Sequence, residues 1–317
     1  MLKVLGFVND LKNPNRRFLK TMKAKVYFMR EITPENVVRL YHALGVSLPG
    51  RVAVKVHTGE KGNQNFLRPE FWRPMVEEVH GTVVECNTAY GDAAGGVRDH
   101  TESHRKLLEE HGWTKYFDVD LMDAEGPDAV FPIPNGKILK ENRVGRHLLN
   151  YDSMLVLAHF KGHPMGGYGG ALKQLAIGCA SRAGKALIHS AGKTDDRFET
   201  WQQHASSVVF PEAMADAASS IVAHFQGKIA YINVMKNLSV DCDCCEVAED
   251  PCMRDIGMLA SLDPVAIDQA AMDLIVHSDD PGRDHFMERV NSRNGIHTIE
   301  AAADLGFGTR DYERIDL

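Results

Sequence analysis

The densest chemistry lies in HFKGHPMGGYGGALKQLAIGCAS, residues 159–181, where His159 and His163 stand four apart and five glycines fall before Lys173. A histidine titrates near neutrality, so His163 suits a general acid or base. Gly166, Gly167, Gly169 and Gly170 precede helix-forming residues that begin at Ala171. Glycine permits positive φ and close approach of backbone amides, and amides at a helix start attract anions. Lys173 would add charge there, or act as a nucleophile toward a carbonyl or thioacyl group. A structural tight turn is the competing reading. The lysine spacing and the residue after it rule out a Walker loop. The Lys-Gly between the histidines and the proline after them argue against a helical zinc pair.

Similar polar loops occur elsewhere. KVHTGEKGNQNFLRPEF (55–71) carries His57, a second acid/base candidate, together with Glu60 and Lys61. ECNTAYG (85–91) carries Asn87, Thr88 and Tyr90, and KALIHS (185–190) carries His189, which suits a metal ligand or a further base. Lys61 and Asn87 are candidate ligand-binding groups, although Glu60 and Lys61 could simply pair on a loop. Four of six cysteines crowd into CDCCEVAEDPC: Cys242, Cys244, Cys245 and Cys252. An adjacent pair at such spacing makes a poor disulfide framework, which favours metal ligation or redox chemistry over small, partly buried turn residues. Cys179, between Gly178 and Ala180, reads as a small buried residue.

The elements that must position these groups alternate. Lys25–Met29, Arg51–His57, Thr82–Cys86, Tyr151–His159, Lys228–Val234 and Ile256–Ser261 have strand character. Helices are expected over Thr33–Leu44, from Pro69, over Thr101–His111 and from the Asp263-Pro264 cap onward. Residues 119–144 read as a hairpin-rich excursion, and the tail as two helices and an extended end. The order implies an α/β fold: a mainly parallel sheet, or sheets, with helices on both faces, arranged as two interlocked lobes with a cleft between them. Ligands of such sheets sit beyond the carboxyl ends of the strands, where these polar loops fall. In the Asp263-Pro264 helix, Asp268 and Asp273 read as solvated or helix-stabilising acids.

Length and composition bound the function. The chain has 317 residues, of which 44% are hydrophobic and 25% charged, and a net charge of −7. That length suits one large domain or two lobes over residues 23–317, with residues 1–22 as an extension. A negative balance argues against nucleic acid as a partner. No apolar run reaches membrane-spanning length, and the start is too short in apolar residues for a signal peptide, so the cytoplasm is the expected compartment.

The segments quoted above, together with DCDCC (241–245) and DIGMLASLDPVAIDQAAMDLI (255–275), resemble domain-of-unknown-function family 362, often described as uncharacterised Fe–S centre proteins. The resemblance runs from Lys23 to Leu274. Many relatives carry a ferredoxin module after the segment matching His189-Ser190; here HSAGKTDDRFETWQQHASS follows without a cysteine. No ferredoxin-type cluster motif is present, and an iron–sulfur cluster would have to use Cys242 to Cys252. The run from His163 through the glycines to Lys173 and His189 is also similar in order and spacing to nickel-dependent lactate racemase. That similarity implies His163 as acid/base, Lys173 as the attachment of a nickel-pincer nucleotide, and His189 as a nickel ligand.

Three functions remain open on the sequence. One is a cleft enzyme for an anionic organic substrate or nucleotide-like cofactor, either an isomerase of racemase or epimerase type or an oxidoreductase. The second is an electron-transfer or metal-binding protein with nickel, zinc, iron or a cluster at the cysteines. The third is a non-enzymatic partner of a redox protein complex.

Overall fold

The computed structural model describes residues 23–91 and 96–317; the expected extension over residues 1–22 lies outside them. β1 (Ala24–Met29) is followed by α1 (Pro34–Ala43), whose Thr33 hydroxyl accepts the Asn36 amide at 3.2 Å, the cap its sequence predicts. Next come β2 (Val52–Lys55), α2 (Pro69–Glu78), β3 (Thr82–Glu85) and α3 (Thr101–Glu110). In the irregular stretch that follows, β4 (Asp120–Leu121) joins the sheet, while β5 (Ala129–Pro132) and β6 (Glu141–Val144) form an antiparallel hairpin. β7 (Ser153–His159) is buried along its whole length.

Beyond β7 the chain forms a second small hairpin, β8 (Lys161–His163) with β9 (Gly167–Gly169). A single helical turn, α4 (Ala171–Lys173), runs directly into a π-helical turn over Gln174–Gly178. Then follow α5 (Arg182–His189), α6 (Val209–Phe225), β10 (Ile229–Met235), β11 (Gly257–Ser261), α7 (Pro264–Val276), α8 (Arg283–Ser292), α9 (Ile296–Asp304) and β12 (Tyr312–Asp316).

One eight-stranded sheet has the order β12-β1-β11-β10-β7-β2-β3-β4. Only β11 runs antiparallel to its neighbours, so the expected mainly parallel α/β sheet is present. Alternate residues of each strand feed opposite faces. Met154 and Val156 pack with α5, α6 and α7 residues such as Ile188, Ile221 and Ile267, whereas Leu155 and Leu157 pack with Val37, Leu40, Trp72 and Leu108 of α1, α2 and α3. Apolar runs such as those of β7 and β10 are what a strand covered on both faces requires. Each fully buried Val, Leu or Ile contributes about 1.5–3 kcal/mol. Among the described residues no helix is long and apolar enough to cross a membrane.

The sheet order grows from β2 toward β3 and β4 on one side, and from β7 toward β10 on the other. β2 and β7 are parallel neighbours, so the strand order reverses between them. Crevices outside the carboxyl ends of strands at such a reversal are where open α/β sheets bind ligands. His57 leaves β2 at that point, and Lys161 and His163 leave β7 there.

The glycine-rich segment differs from its expected form. Gly167 and Gly169 lie in β9 rather than in one turn, and only Gly170 directly precedes the helical residues. Gly167 adopts φ +78°, and a Cβ there would stand 2.8 Å from the Gly295 Cα and 2.9 Å from the Val290 carbonyl oxygen. Glycine is needed there because two chains cross, not because a ligand approaches.

Candidate active site

His57, His163, Lys173 and His189, drawn from four separate segments, line one cavity of about 70 Å3 at the β2/β7 reversal. It shares Tyr90, His163, His189, Trp201 and Cys244 with an outer hollow of about 520 Å3 whose rim includes Met165, Cys245 and Val247. Gly169 and Gly170 also reach the inner cavity. Its cationic lining includes Lys55, Arg98, Lys161 and Lys185.

Three of these cations are matched by carboxylates. Lys55 donates to Glu85 at 2.8 Å, Arg98 to Glu60 at 3.0 Å, and Lys161 lies 2.7 Å from Asp243. Burial disfavours ionised Glu85, but Lys55 and Arg98 outweigh it and hold the carboxyl down at about 2. Burial likewise opposes the charge of Asp243, and His159 and Lys161 outweigh it, leaving the group well below the usual carboxylate range. Such buried ions are tolerable only because each is paired. Lys173 instead donates to the Cys242 thiol at 3.3 Å. Burial works against its ammonium, and the sulfurs of Cys242 and Cys244 more than offset that, so its pKa is raised. At neutral pH Lys173 is a cation that can hold an anion, not the free amine a nucleophile requires.

Backbone partners assign the protons of the three histidines. His163 Nδ1 accepts the amides of Gly166 at 2.8 Å and Met165 at 3.2 Å, so the neutral ring carries its proton on Nε2. His57 Nδ1 accepts the Gly59 amide at 3.1 Å, with the same consequence. His189 is the reverse. Its Nδ1 lies 2.7 Å from the Lys185 carbonyl oxygen and must donate to it, which leaves an unprotonated Nε2. All three stay neutral: burial first, then nearby cations, holds His57 and His163 well below the ordinary value, and burial lowers His189 to about 4.

The cysteine group comes together only in part. Cys242 Sγ, Cys244 Sγ and a His163 ring nitrogen lie within 4.8 Å of one another, close enough for a soft metal. Two contacts work against that use. A metal on His163 Nε2 would displace its proton while Nδ1 still accepts backbone amides, and Cys242 already accepts from Lys173. Burial raises the Cys242 thiol well above its ordinary value. At Cys244 the hydrogen bond to Cys242 pulls the pKa down, but the hydrogen bond to Cys245 and burial outweigh it and push the thiol up to about 11. Cys252 stands apart, its thiol donating to the Leu238 carbonyl at 3.4 Å. The expected four-cysteine ligand set is therefore not assembled.

Other expectations also need correction. Asn87 is spent on structure: its amide donates to Asp123, its side chain to Thr101, and its Oδ1 faces His104. Lys61 is exposed and outside the cavity, and Glu60 pairs with Arg98 rather than with the Lys61 ammonium. The amides at the start of α4 are not free for a ligand. Ala171 and Leu172 donate to the carboxylate of Asp268 at 2.8 and 3.0 Å, so the anion expected there is the protein's own. Asp268 is fully buried, not solvated, and also accepts from Asn233 and Tyr168. Burial pushes its carboxyl up to about 6 against these four donors.

Sequence reasoning passed over Lys55, Glu85, Lys185 and Gln174. Lys55 did leave a signal: a lysine inside the apolar run RVAVKVH must find a buried partner.

A mainly parallel α/β sheet with a polar cavity at its strand reversal is the class that fold and site define. Within that class the chain belongs to the family described as Domain of unknown function (DUF362), whose model matches residues 52–273. No curated protein matches. Two solved structures are similar in part. One is the lactate racemase apoprotein from Thermoanaerobacterium thermosaccharolyticum, at 12% identity and a TM-score of 0.39, covering 66% of this chain and 50% of that one. The other is a Thermotoga maritima protein at 13% identity and a TM-score of 0.35, covering 86% of this chain and 58% of that one. This chain thus spans half the length of the first and 58% of the second.

Proposed function

We propose that the cavity is the active site of an isomerase that moves a proton at the carbon beside the carboxylate of a small organic anion. One observation carries this reading: three neutral imidazoles face one cavity, two as Nε2–H donors and one as an Nε2 acceptor. Lys173 seats the carboxylate. The Nε2–H groups of His57 and His163 donate to the oxygen on which charge accumulates as the C–H bond breaks, a role that suits neutral imidazole. His189 Nε2, oriented by the Lys185 carbonyl, takes the proton and returns it. Because one base serves both steps, the carbanion must turn over on its Lys173 seat before the proton is returned. The proton then reaches the opposite face and the carbon is racemised or epimerised.

A second reading rests on the same His189 geometry. Metal-ligating histidines commonly donate their other N–H to a backbone carbonyl, as His189 does. The nickel-pincer nucleotide that the resemblance to nickel-dependent lactate racemase implies would be held by these residues, with His189 ligating the metal and the Lys173 ammonium holding the organic part by charge. When bound, such a group supplies a hydride acceptor. The Nε2–H groups of His57 and His163 would then orient the substrate oxygen.

The test is incubation of purified protein in D2O with a panel of 2-hydroxy and 2-amino acids, followed by NMR and chiral analysis, before and after nickel loading. Deuterium entry at the α carbon, lost in His189→Gln, is expected. No exchange with any member under either condition would overturn the proposal.

A further inference from the structure

Lys185 differs from the other cations of the inner cavity. It is 6% exposed, and its ammonium donates to the Ala180 carbonyl at 2.6 Å. Among the described residues no carboxylate lies within 4 Å of it, whereas Lys55, Arg98 and Lys161 each have one. A buried ammonium without a counterion calls for an anion.

Gln174 adds an independent sign. It is 7% exposed, and its Oε1 accepts from Lys55 at 3.2 Å, which fixes the orientation of the amide. Its Nε2 then has no hydrogen-bond partner. Native proteins rarely leave such a donor buried without a reason. Gln174 sits where α4 passes into the π-helical turn, a deformation that often marks functional positions. Both residues line the inner cavity, and neither reaches the outer hollow.

We infer that Lys185 and Gln174 form an oxyanion subsite, so that the ligand carries a second anionic group, a phosphate or a carboxylate, besides the one seated on Lys173. The charge balance agrees. Lys55, Arg98, Lys161, Lys173 and Lys185 face Glu60, Glu85 and Asp243 as their paired acids, leaving two cations over. A dianion matches that excess, and a lone carboxylate does not. The inference rests on the cavity being a ligand site but not on proton transfer.

Calorimetric titration of the full chain with inorganic phosphate, succinate and acetate tests it, using wild type, Lys185→Met and Gln174→Glu. Gln174→Glu keeps the acceptor for Lys55 while placing negative charge where the donor was, so it gives a second reading should Lys185→Met fail to fold. Saturable binding of phosphate or succinate is expected, at least tenfold tighter than acetate and at least tenfold weaker in either variant. Tighter phosphate than succinate identifies a phosphate group, and the reverse a second carboxylate. Absence of saturable dianion binding, or equal affinity in the folded variants, would overturn the subsite. Dianion binding without α-carbon exchange would sink the isomerase reading alone, and exchange without dianion preference would sink the subsite alone.

Discussion

His163 and His189 face the same cavity with opposite nitrogens protonated: the first accepts the Gly166 amide on Nδ1, and the second donates from Nδ1 to the Lys185 carbonyl. One wall therefore offers a proton and the other a lone pair, with no metal needed to set the difference. Long-range 1H–15N spectra of histidine-labelled protein at pH 7.5 should show the Nε2–H tautomer for His57 and His163 and the Nδ1–H tautomer for His189. Identical tautomers at all three would remove the basis of the proposed chemistry.

Asp268 is expected to matter more for stability than its place on a helix suggests. It anchors α4 through Ala171 and Leu172, β10 through Asn233, and β9 through Tyr168. Hydrogen bonds to a buried charge each contribute roughly 1.5–3 kcal/mol. Asp268→Asn places an NH2 against N–H donors, so urea denaturation should show a loss of roughly 3 kcal/mol or more.

That network also marks where the sequence stopped being legible. The βα order, the Thr33 and Asp263 caps and the placing of His57 and His163 beyond strand ends followed from local pattern, because strands and caps are local chemistry. Which carboxylate meets which amide is a matter of tertiary packing. Asp268 lies 97 residues from Ala171, and nothing in VAIDQAAM distinguishes it from a solvated acid. Lys185 was hidden for a similar reason: a lysine in a helix is ordinarily exposed, and only the fold of α5 against the cavity buries it. Cys252 was misjudged in the opposite way, since closeness in sequence to Cys245 implied a shared site that the chain path does not make.

Acid should destabilise the fold through Glu85. Its carboxyl is held at about 2 when folded against an ordinary 4.5, so the folded state favours the ionised form. The stabilisation is fully present above pH 4.5 and is lost as pH falls through about 2. A shift of that size corresponds to about 3 kcal/mol, as an order of magnitude. Urea midpoints measured from pH 6 to pH 2 should fall, and Glu85→Gln, weaker throughout because it strands Lys55, should fall less steeply.

Metal content separates the thiol group, where His163, Cys242 and Cys244 lie close enough to share a metal, from His189, which offers one protein ligand and would hold nickel only together with an organic cofactor. The cysteine site requires His163 to give up its Nε2 proton while Nδ1 faces two amide donors, and it requires Cys242 to leave Lys173. The His189 site requires neither, because its Nε2 is already unprotonated and its ring is already oriented. Elemental analysis after loading with the nickel-pincer nucleotide and dialysis should therefore show nickel retained by Cys252→Ser and by Cys244→Ser but lost from His189→Gln. Loss from Cys244→Ser with retention in His189→Gln would put the metal on the thiols instead.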